Sequence, residues 1–548
     1  MDKETLTKRP QRTAQEKMVQ GSAWMTMSNI TSRLLGAIYI IPWFAWMGEH
    51  GTAANSLFSM GYNIYAMFLL ISTAGIPAAI AKQTAHYNSL NEYKISKQLF
   101  IRALQLMAVF GVVVAGIMYL SAPWLADISG GGAELEPTIR SLSFAVLIIP
   151  CMSVIRGYFQ GNQELMPYAL SQIYEQVARV VYMLIATFII MKVMKGDYLT
   201  AVTQSTFAAF IGAIASFVVL LWYLRKQKPL FDYLESHSAD QLQVSVTQLL
   251  VEIVREAIPF IIVGSGITIF KLVDQVTFMR FMTGFTEYSQ FQLVELFGIF
   301  NANPDKLTMV VIALATSLSA SGLPLITEAV TLKDTRGLAK LVSDNLQLFL
   351  FVMLPATFGM IVLARPLYTL FYNPDALGTK VLIQASYVGL VMGLYMLVGA
   401  MLQGMYQNKD AMKYFGIGLL VKILIQYPCI RLFEVYGPLL ATAIAFTVTC
   451  FLMVRRIQQI SRFNFGLTAR RGLLILILSL LMTLAAFITR QLLYLVLSPD
   501  RTFQSFVIAV VVAAVGAGLY VWLALKTRLA DKLMGERVAV LRQKLHIK

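Results

Sequence analysis

Long apolar segments recur along the whole of this 548-residue chain. We find about fourteen, each near the roughly 20 residues that a helix needs to cross a bilayer. Only 14% of the residues are charged, whereas soluble domains carry roughly 25%. The sequence therefore predicts an all-α polytopic membrane protein with about 14 transmembrane helices. The predicted spans are 22–47, 54–81, 99–121, 138–159, 167–191, 200–224, 252–283, 305–330, 341–363, 379–404, 411–431, 437–454, 472–495 and 503–525.

The net charge of +16 is distributed according to this membrane topology. Lysine and arginine collect on one side of the predicted spans, whereas the first large loop on the other side, "SAPWLADISGGGAELEP", is acidic. Cytoplasmic loops carry the excess of basic residues, so we expect a multi-pass cell-membrane protein with both termini in the cytoplasm. The charge gives no reason to expect a nucleic-acid partner. The basic stretches are 8–17, 94–97, 225–228, 333–340, 409–413, 455–471 and 526–548.

Several short motifs occur twice, about 240–250 residues apart and in the same order. "ISTAGIPAAIAK" at 71–82 resembles "LSASGLPLITEA" at 318–329, and "RGYFQG" at 156–161 resembles "GAMLQG" at 399–404. This order predicts two six-helix lobes related by a parallel pseudo-repeat, with a binding site between them. The predicted divisions are an N-lobe at 1–224, a cytoplasmic linker at 225–250, a C-lobe at 251–460, and two further helices with a basic tail at 461–548.

A glycine and a proline interrupt the second and eighth spans at matching places. Each proline leaves the carbonyl four residues earlier without its helical donor, and nearby serine and threonine hydroxyls are expected to bond the freed carbonyls. Two interpretations stay open, a packing kink in each helix and a matched pair of hinges that shape a gate. The four residues are Gly75, Pro77, Gly322 and Pro324.

Charged residues occur inside several predicted spans, where each costs roughly 2.5–3.5 kcal/mol on insertion scales. Glu175 and Arg179 are four residues apart, which permits an ion pair within one helix as well as a role in substrate binding. Lys271 and Asp274, three residues apart, leave the same two interpretations open. The remaining positions are Arg33, which has no acidic residue within a turn, Lys306, which could also be an interfacial lysine, and Lys422, which aligns with Arg179.

These intramembrane charges are mostly positive, which suits an anionic head group such as a phosphate or pyrophosphate. We therefore predict a substrate-binding cavity formed by Arg33, Lys271, Lys306, Arg179 and Lys422. Asp274 and Glu175 are predicted to be their charge partners or ion-coupling groups. A membrane enzyme such as a glycosyltransferase would need clustered acid–base or metal-binding residues, and the four scattered histidines do not supply them. We predict neither catalysis nor a metal site.

Three segments carry a resemblance to a known family: "GSAWMTMSNITSRLLGAIYIIPW", "GYNIYAMFLLISTAGIPAAIAKQ" and "RGYFQGNQELMPYALSQIYEQVARV". They resemble the polysaccharide-biosynthesis group of the multidrug/oligosaccharidyl-lipid/polysaccharide exporter superfamily, in its YtgP and SpoVB branch, which is related to the MurJ lipid II flippases. The resemblance implies two lobes around a cationic cavity, two extra helices flanking a groove, and transport by alternating access. Arg33 and Lys306 fall where that family carries basic residues. The chain departs from the pattern in span two, which has Tyr62, Asn63 and Tyr65 where related flippases carry arginines.

The resemblance implies a flippase for lipid II, the undecaprenyl-pyrophosphate-linked peptidoglycan precursor. The alternatives are a flippase for another lipid-linked glycan, such as a capsule or teichoic-acid unit, and a cation-coupled drug antiporter. Expected partners are the lipid-linked substrate, membrane lipids and other cell-wall synthesis proteins. No cofactor is expected, and coupling to the membrane potential, to sodium or to protons stays open.

Overall fold

A computed structural model describes residues 38–73, 75–239 and 261–534, together with residues 24, 27, 28, 31, 32, 35, 36, 245, 248, 251, 258 and 259. Within this part the chain is almost entirely helical and contains no strand. Arg33 lies outside the described residues, as does most of the basic tail.

The helices before residue 240 follow one another with short connections. A five-residue π-helical turn, Ile189–Val193, extends the helix that precedes it. These helices are α1 (Ile40–Met47), α2 (Gly51–Thr73), α3 (Ile76–Ser89), α4 (Tyr93–Leu120), α5 (Ala122–Ile128), α6 (Gly132–Gly161), α7 (Leu165–Phe188) and α8 (Tyr198–Ser236). Because α8 runs to Ser236, the first part of the predicted linker 225–250 is helical.

The helices after residue 260 include a second π-helical turn, Gly298–Ala302, which joins two helices into one long segment. They are α9 (Gly266–Thr283), α10 (Gln290–Phe297), α11 (Asn303–Thr331), α12 (Thr335–Val362), α13 (Ala364–Phe371), α14 (Ala376–Gly404), α15 (Asn408–Phe433), α16 (Gly437–Ser461), α17 (Phe465–Tyr494), α18 (Thr502–Lys526) and α19 (Leu529–Met534).

Ten helical segments in the described part are long and apolar enough to cross a membrane. One of them, Asn408–Ser461, contains both α15 and α16, and another, Ile40–Thr73, contains α1 and α2. Helix α9 and the segment α10–α11 correspond to the predicted seventh and eighth spans. Wherever the structure describes residues of a predicted span, they are almost entirely helical, which confirms the all-α polytopic membrane fold.

The described residues form two compact units. The first contains those within Met1–Tyr39, Gly61–Asp127 and Gly132–Ile261, and the second those within Ile40–Met60, Ile128–Gly131 and Ile262–Lys548. Helix α2 contributes residues to both. The lobe bounds expected from the sequence stay a prediction.

Corresponding helix pairs pack together in the two units. In the first unit α6 contacts α3, α4 and α8, and α7 contacts α8. In the second unit α14 contacts α11, α12 and α16, and α15 contacts α16. The matched packing agrees with the repeat in the sequence, and α17 and α18 add a further pair that contacts α12 and α13.

The two glycine–proline motifs differ in structure. Gly75 has φ +77°, a left-handed conformation, and it separates α2 from α3. Helix α11 instead continues through Gly322 without a break, so the matching motif does not separate two helices there. The hydroxyls of Ser72 and Thr73 both donate to the Leu69 carbonyl, at 3.0 and 2.7 Å, rather than to the carbonyl of Thr73. The side chains of Pro324, Ser319 and Ser321 lie outside the described part.

Candidate functional site

A small polar chamber lies inside the second unit, between α9, α11, α14 and α16. Its volume is about 40 Å³, which is enough for a water molecule or a small ion but far below the hundreds of Å³ of ordinary ligand sites. The polar residues that line it are Lys271, Asp274, Asn301, Asp305, Thr308 and Thr442. We call this cavity the polar chamber.

Lys422 and Asp274 form a buried ion pair beside the polar chamber. The Lys422 Nζ lies 2.6 Å from Asp274 Oδ1, and the two side chains are 0% and 5% exposed. The same ammonium donates to Thr442 Oγ1 at 2.6 Å and to the Pro438 carbonyl at 2.9 Å. Gln426 Nε2 donates to Asp274 Oδ1 at 2.8 Å. In this structure the Lys422 ammonium is therefore not available to a ligand.

Core packing explains why Asp274 points toward Lys422. Phe270, four residues earlier on the same face of α9, stacks on Phe446 of α16 with ring centroids 4.1 Å apart. Glycines bring α15 and α16 together on either side of Lys422, because a Cβ on Gly418 would collide with Thr449 and one on Gly437 would collide with the Cys429 carbonyl. The ammonium is thus held between closely packed helices.

Lys271, which stands on α9 three residues before Asp274, pairs with Asp305 at the start of α11. Its Nζ lies 2.5 Å from Asp305 Oδ1, and the side chains are 16% and 27% exposed. The sequence permitted an ion pair between Lys271 and Asp274. In the structure each of them instead pairs with a residue of another helix, Asp305 on α11 and Lys422 on α15. Asp305 precedes Lys306 in the "PDKL" segment. The sequence pattern pointed to the lysine as a site residue but not to the aspartate.

Amide side chains link α2 to the first residue of α11, within the second unit. Asn55 Nδ2 donates to Asn303 Oδ1 at 2.7 Å, and Asn303 Nδ2 donates to the Tyr368 hydroxyl at 2.8 Å. Burial raises the pKa of Tyr368, so this hydroxyl stays protonated while it accepts the bond. The Lys306 ammonium lies 4.9 Å from the ring centroid of Phe58 on α2. Helix α2 therefore positions the residues that surround the start of α11.

In the first unit, Arg156 is the centre of a network that joins three helices. It donates from α6 to Glu175 Oε2 and Ser171 Oγ on α7, at 2.8 and 2.9 Å, and to Ser216 Oγ on α8, at 3.0 Å. Glu175 thus pairs with Arg156, whereas the spacing in the sequence had pointed to Arg179. The signal was present in the motif itself, because Arg156, Ser171 and Glu175 all stand in the RGYFQG…SQ…EQ segment.

Arg179 instead packs on aromatic rings. Its guanidinium carbon lies 5.3 Å from the ring centroid of Tyr62 on α2, and Tyr65 and Glu175 lie within electrostatic reach. Both tyrosines stand where the resemblance placed arginines in related flippases. The aligned cations Arg179 and Lys422 therefore have different surroundings. Aromatic rings surround the first, and oxygen atoms of Asp274, Pro438 and Thr442 surround the second.

An apolar groove lies between α12, α17 and α18 in the second unit. Its volume is about 390 Å³, within the usual range for small-molecule sites. Small residues, among them Gly359, Ala486 and Gly516, form part of its wall, and a Cβ on Gly359 would meet no atom within 4 Å. The groove is lined by the two helices that have no counterpart in the repeat.

Known proteins share both the sequence and the fold. The family described as "Polysaccharide biosynthesis protein" matches residues 18–330. The protein named "Lipid II flippase MurJ" from Bacillus subtilis (strain 168) is 33% identical over 537 residues, which cover 95% of this chain and 97% of that protein.

Two solved structures show the same fold. One is described as lipid II flippase MurJ in an inward closed conformation, with a TM-score of 0.65 and 14% identity, covering 93% of this chain and 99% of that one. The other is an inward-facing multidrug resistance MATE family transporter of the MOP superfamily, with a TM-score of 0.61 and 14% identity, covering 79% of this chain and 98% of that one. These similarities confirm the resemblance seen in the motifs, and the chain belongs to the polysaccharide biosynthesis protein family.

Proposed function

We propose that this protein is a flippase that moves lipid II, the lipid-linked peptidoglycan precursor, from the inner to the outer leaflet. The observation that carries the proposal is the 33% identity to the Bacillus subtilis lipid II flippase, over nearly the full length of both chains. The solved structures that share the fold are transporters, which favours transport over an enzymatic activity.

We propose that the pyrophosphate of the substrate binds to cationic side chains that become accessible during alternating access. Lys271 and Lys306 are partly exposed and belong to adjoining elements of the second unit, and Arg179 is partly exposed in the first. Arg33 is included from the sequence alone. The polar chamber is too small for a head group, so substrate binding at Lys271 requires a conformation in which α9 and α11 separate.

The apolar groove is suited to the lipid tail. A polyprenyl chain gains roughly 0.8 kcal/mol for each CH₂ that it buries in apolar surroundings, and the groove wall is almost wholly apolar. The tail would follow α12, α17 and α18 while the head group crosses the membrane. We also propose that both termini lie in the cytoplasm. The membrane potential would act on the cationic side chains of the cavity and thereby drive transport.

A strain depleted of its own lipid II flippase provides the test. We expect expression of this chain to restore growth and the labelling of lipid II on the outer leaflet. Unchanged labelling, with the protein present in the membrane at normal level, would contradict the proposal. Restored export of a capsule or teichoic-acid precursor in place of lipid II would support a flippase for another lipid-linked glycan.

The cavity assignment needs a separate experiment in the same strain. Arg33→Gln, Lys271→Gln and Lys306→Gln are expected to reduce rescue, whereas Lys413→Gln, at an exposed position of α15, should rescue fully. Full rescue by all three cavity variants would overturn the assignment while leaving the flippase proposal intact.

A further inference from the structure

The Lys422 ammonium is surrounded as a bound cation would be. Three oxygen atoms accept hydrogen bonds from its three N–H groups: Asp274 Oδ1 at 2.6 Å, Thr442 Oγ1 at 2.6 Å and the Pro438 carbonyl at 2.9 Å. A carboxylate, a hydroxyl and a backbone carbonyl are the kinds of oxygen that hold hard cations in proteins. We call these three atoms the oxygen cage.

The cage is built into the helix packing rather than gathered by one flexible side chain. Asp274 comes from α9, and Pro438 and Thr442 come from the first turns of α16. Asp274 is held further by Gln426 Nε2 at 2.8 Å and by the Thr442 hydroxyl, which lies 3.4 Å from Oδ2. The oxygen atoms are therefore fixed by residues other than Lys422 itself.

The charge balance also favours a cation at this place. Asp274 is enclosed, and a buried carboxylate requires a compensating positive charge or a proton. Asp274 and Thr442 also line the polar chamber, which has room for a small ion next to the cage. Lys271, the other ammonium near the chamber, contacts a single carboxylate oxygen among the described residues and has no such cage there.

We propose that the oxygen cage is a site for a monovalent cation and that the Lys422 ammonium occupies it as a tethered ion. In the native protein the positive charge at Asp274 then stays in place whatever salt surrounds the membrane, so α9, α15 and α16 remain joined without an exchangeable ion. A shorter, uncharged residue at position 422 leaves the cage free to take Na⁺, K⁺ or NH₄⁺ from the medium. The inference does not depend on which lipid the protein transports.

The test measures the thermal unfolding midpoint of the purified full-length protein in detergent. NaCl, KCl and NH₄Cl are compared with choline chloride at constant ionic strength, because choline is too large for the cage. The midpoint of the native protein should be the same in all four salts. Lys422→Ala should have a lower midpoint in choline chloride, and at least one of the three small cations should restore it saturably.

Two controls separate binding in the cage from a general salt effect. Asp274→Asn/Lys422→Ala lacks the carboxylate and should show no cation-specific recovery. Lys271→Ala removes an ammonium that has one oxygen partner within the part of the chain that the structure describes, and it should show no such recovery either. Lys422→Leu is the second test variant, because leucine retains part of the apolar stem and removes only the charged end.

Three results would overturn the proposal. The first is a folded Lys422→Ala or Lys422→Leu protein whose midpoint is the same in every salt. The second is a native protein whose midpoint rises with Na⁺ or K⁺ in a manner that Asp274→Asn abolishes. The third is failure of both single variants to fold in any of the salts while Asp274→Asn/Lys422→Leu folds.

Discussion

Gly157 of α6 lies directly against the backbone of Pro77 of α3. A Cβ built on Gly157 would come within 2.6 Å of the Pro77 carbonyl oxygen and 2.9 Å of its Cα. Four residues later, a Cβ on Gly161 would lie 2.8 Å from the Ala81 carbonyl oxygen. The segments ISTAGIPAAIAK and RGYFQG are therefore the two sides of one close helix contact, and a larger residue at Gly157 or Gly161 cannot fit there unless the backbone moves.

Gly157→Ala should destabilise the protein by about 1–3 kcal/mol, because the new methyl group overlaps backbone atoms that cannot rotate away. The measurement is the thermal unfolding midpoint in detergent. Gly116→Ala is the matched control, since Gly116 lies within α4 and has no atom within 4 Å of a built Cβ. Its midpoint should stay level or rise, because alanine is the better helix former by up to about 1 kcal/mol. Equal midpoints for the two variants would contradict the close contact.

The two glycine–proline motifs provide a second comparison. Gly75→Ala should cost about 1–2 kcal/mol, because Gly75 has a left-handed backbone that a residue with a Cβ adopts poorly. Gly322→Ala should cost less, since Gly322 is helical and the nearest obstacle is the side-chain amide of Asn345, which can rotate. Midpoints of both purified variants test this order, and a larger loss for Gly322→Ala would contradict the asymmetry between the motifs.

The same positions test whether the motifs act as hinges or only as kinks. If they are hinges, Pro77→Ala and Pro324→Ala should reduce lipid II exposure on the outer leaflet without a matching fall in protein level. Normal exposure with both variants would leave only the packing interpretation for Gly75, Pro77, Gly322 and Pro324.

The Arg156–Glu175 pair should contribute more to stability than an ordinary surface pair. Its side chains are 12% and 21% exposed, so removal of Arg156 leaves a poorly hydrated carboxylate. Arg156→Met should lower the free energy of unfolding by a few kcal/mol, toward the 3–5 kcal/mol seen when buried pairs are broken. The quantity to measure is the change in unfolding midpoint, and Arg156→Met/Glu175→Gln should recover part of the loss because no charge is left unpaired.

The control for this pair is Arg140→Met. Arg140 pairs with Glu136 one turn away on α6, and its side chain is 41% exposed. Pairs of this kind contribute about 0.3–0.5 kcal/mol. A loss in Arg156→Met no greater than that in Arg140→Met would mean that the network does not stabilise the three helices.

The sequence predicted the spans and the family well, but it did not predict which charges meet. Apolar length and motif order are local properties, so each span could be placed without knowledge of its neighbours. Lys422 and Asp274 are 148 residues apart, and their contact depends on how α15 and α16 pack against α9. Spacing within one helix suggested partners for Glu175 and Lys271, whereas the structure pairs both with residues of other helices.

The groove between α12, α17 and α18 yields the last prediction, which depends on the proposed function. Gly359→Leu should place an apolar side chain in open space within the groove, without a clash and with little effect on stability. If the groove holds the polyprenyl tail, the variant should slow the appearance of lipid II on the outer leaflet several-fold. Gly416→Leu is the matched control, because Gly416 also has no atom within 4 Å of a built Cβ but lies on an exposed face of α15 outside the groove. Equal transport by the two variants, at equal protein level, would place the tail elsewhere.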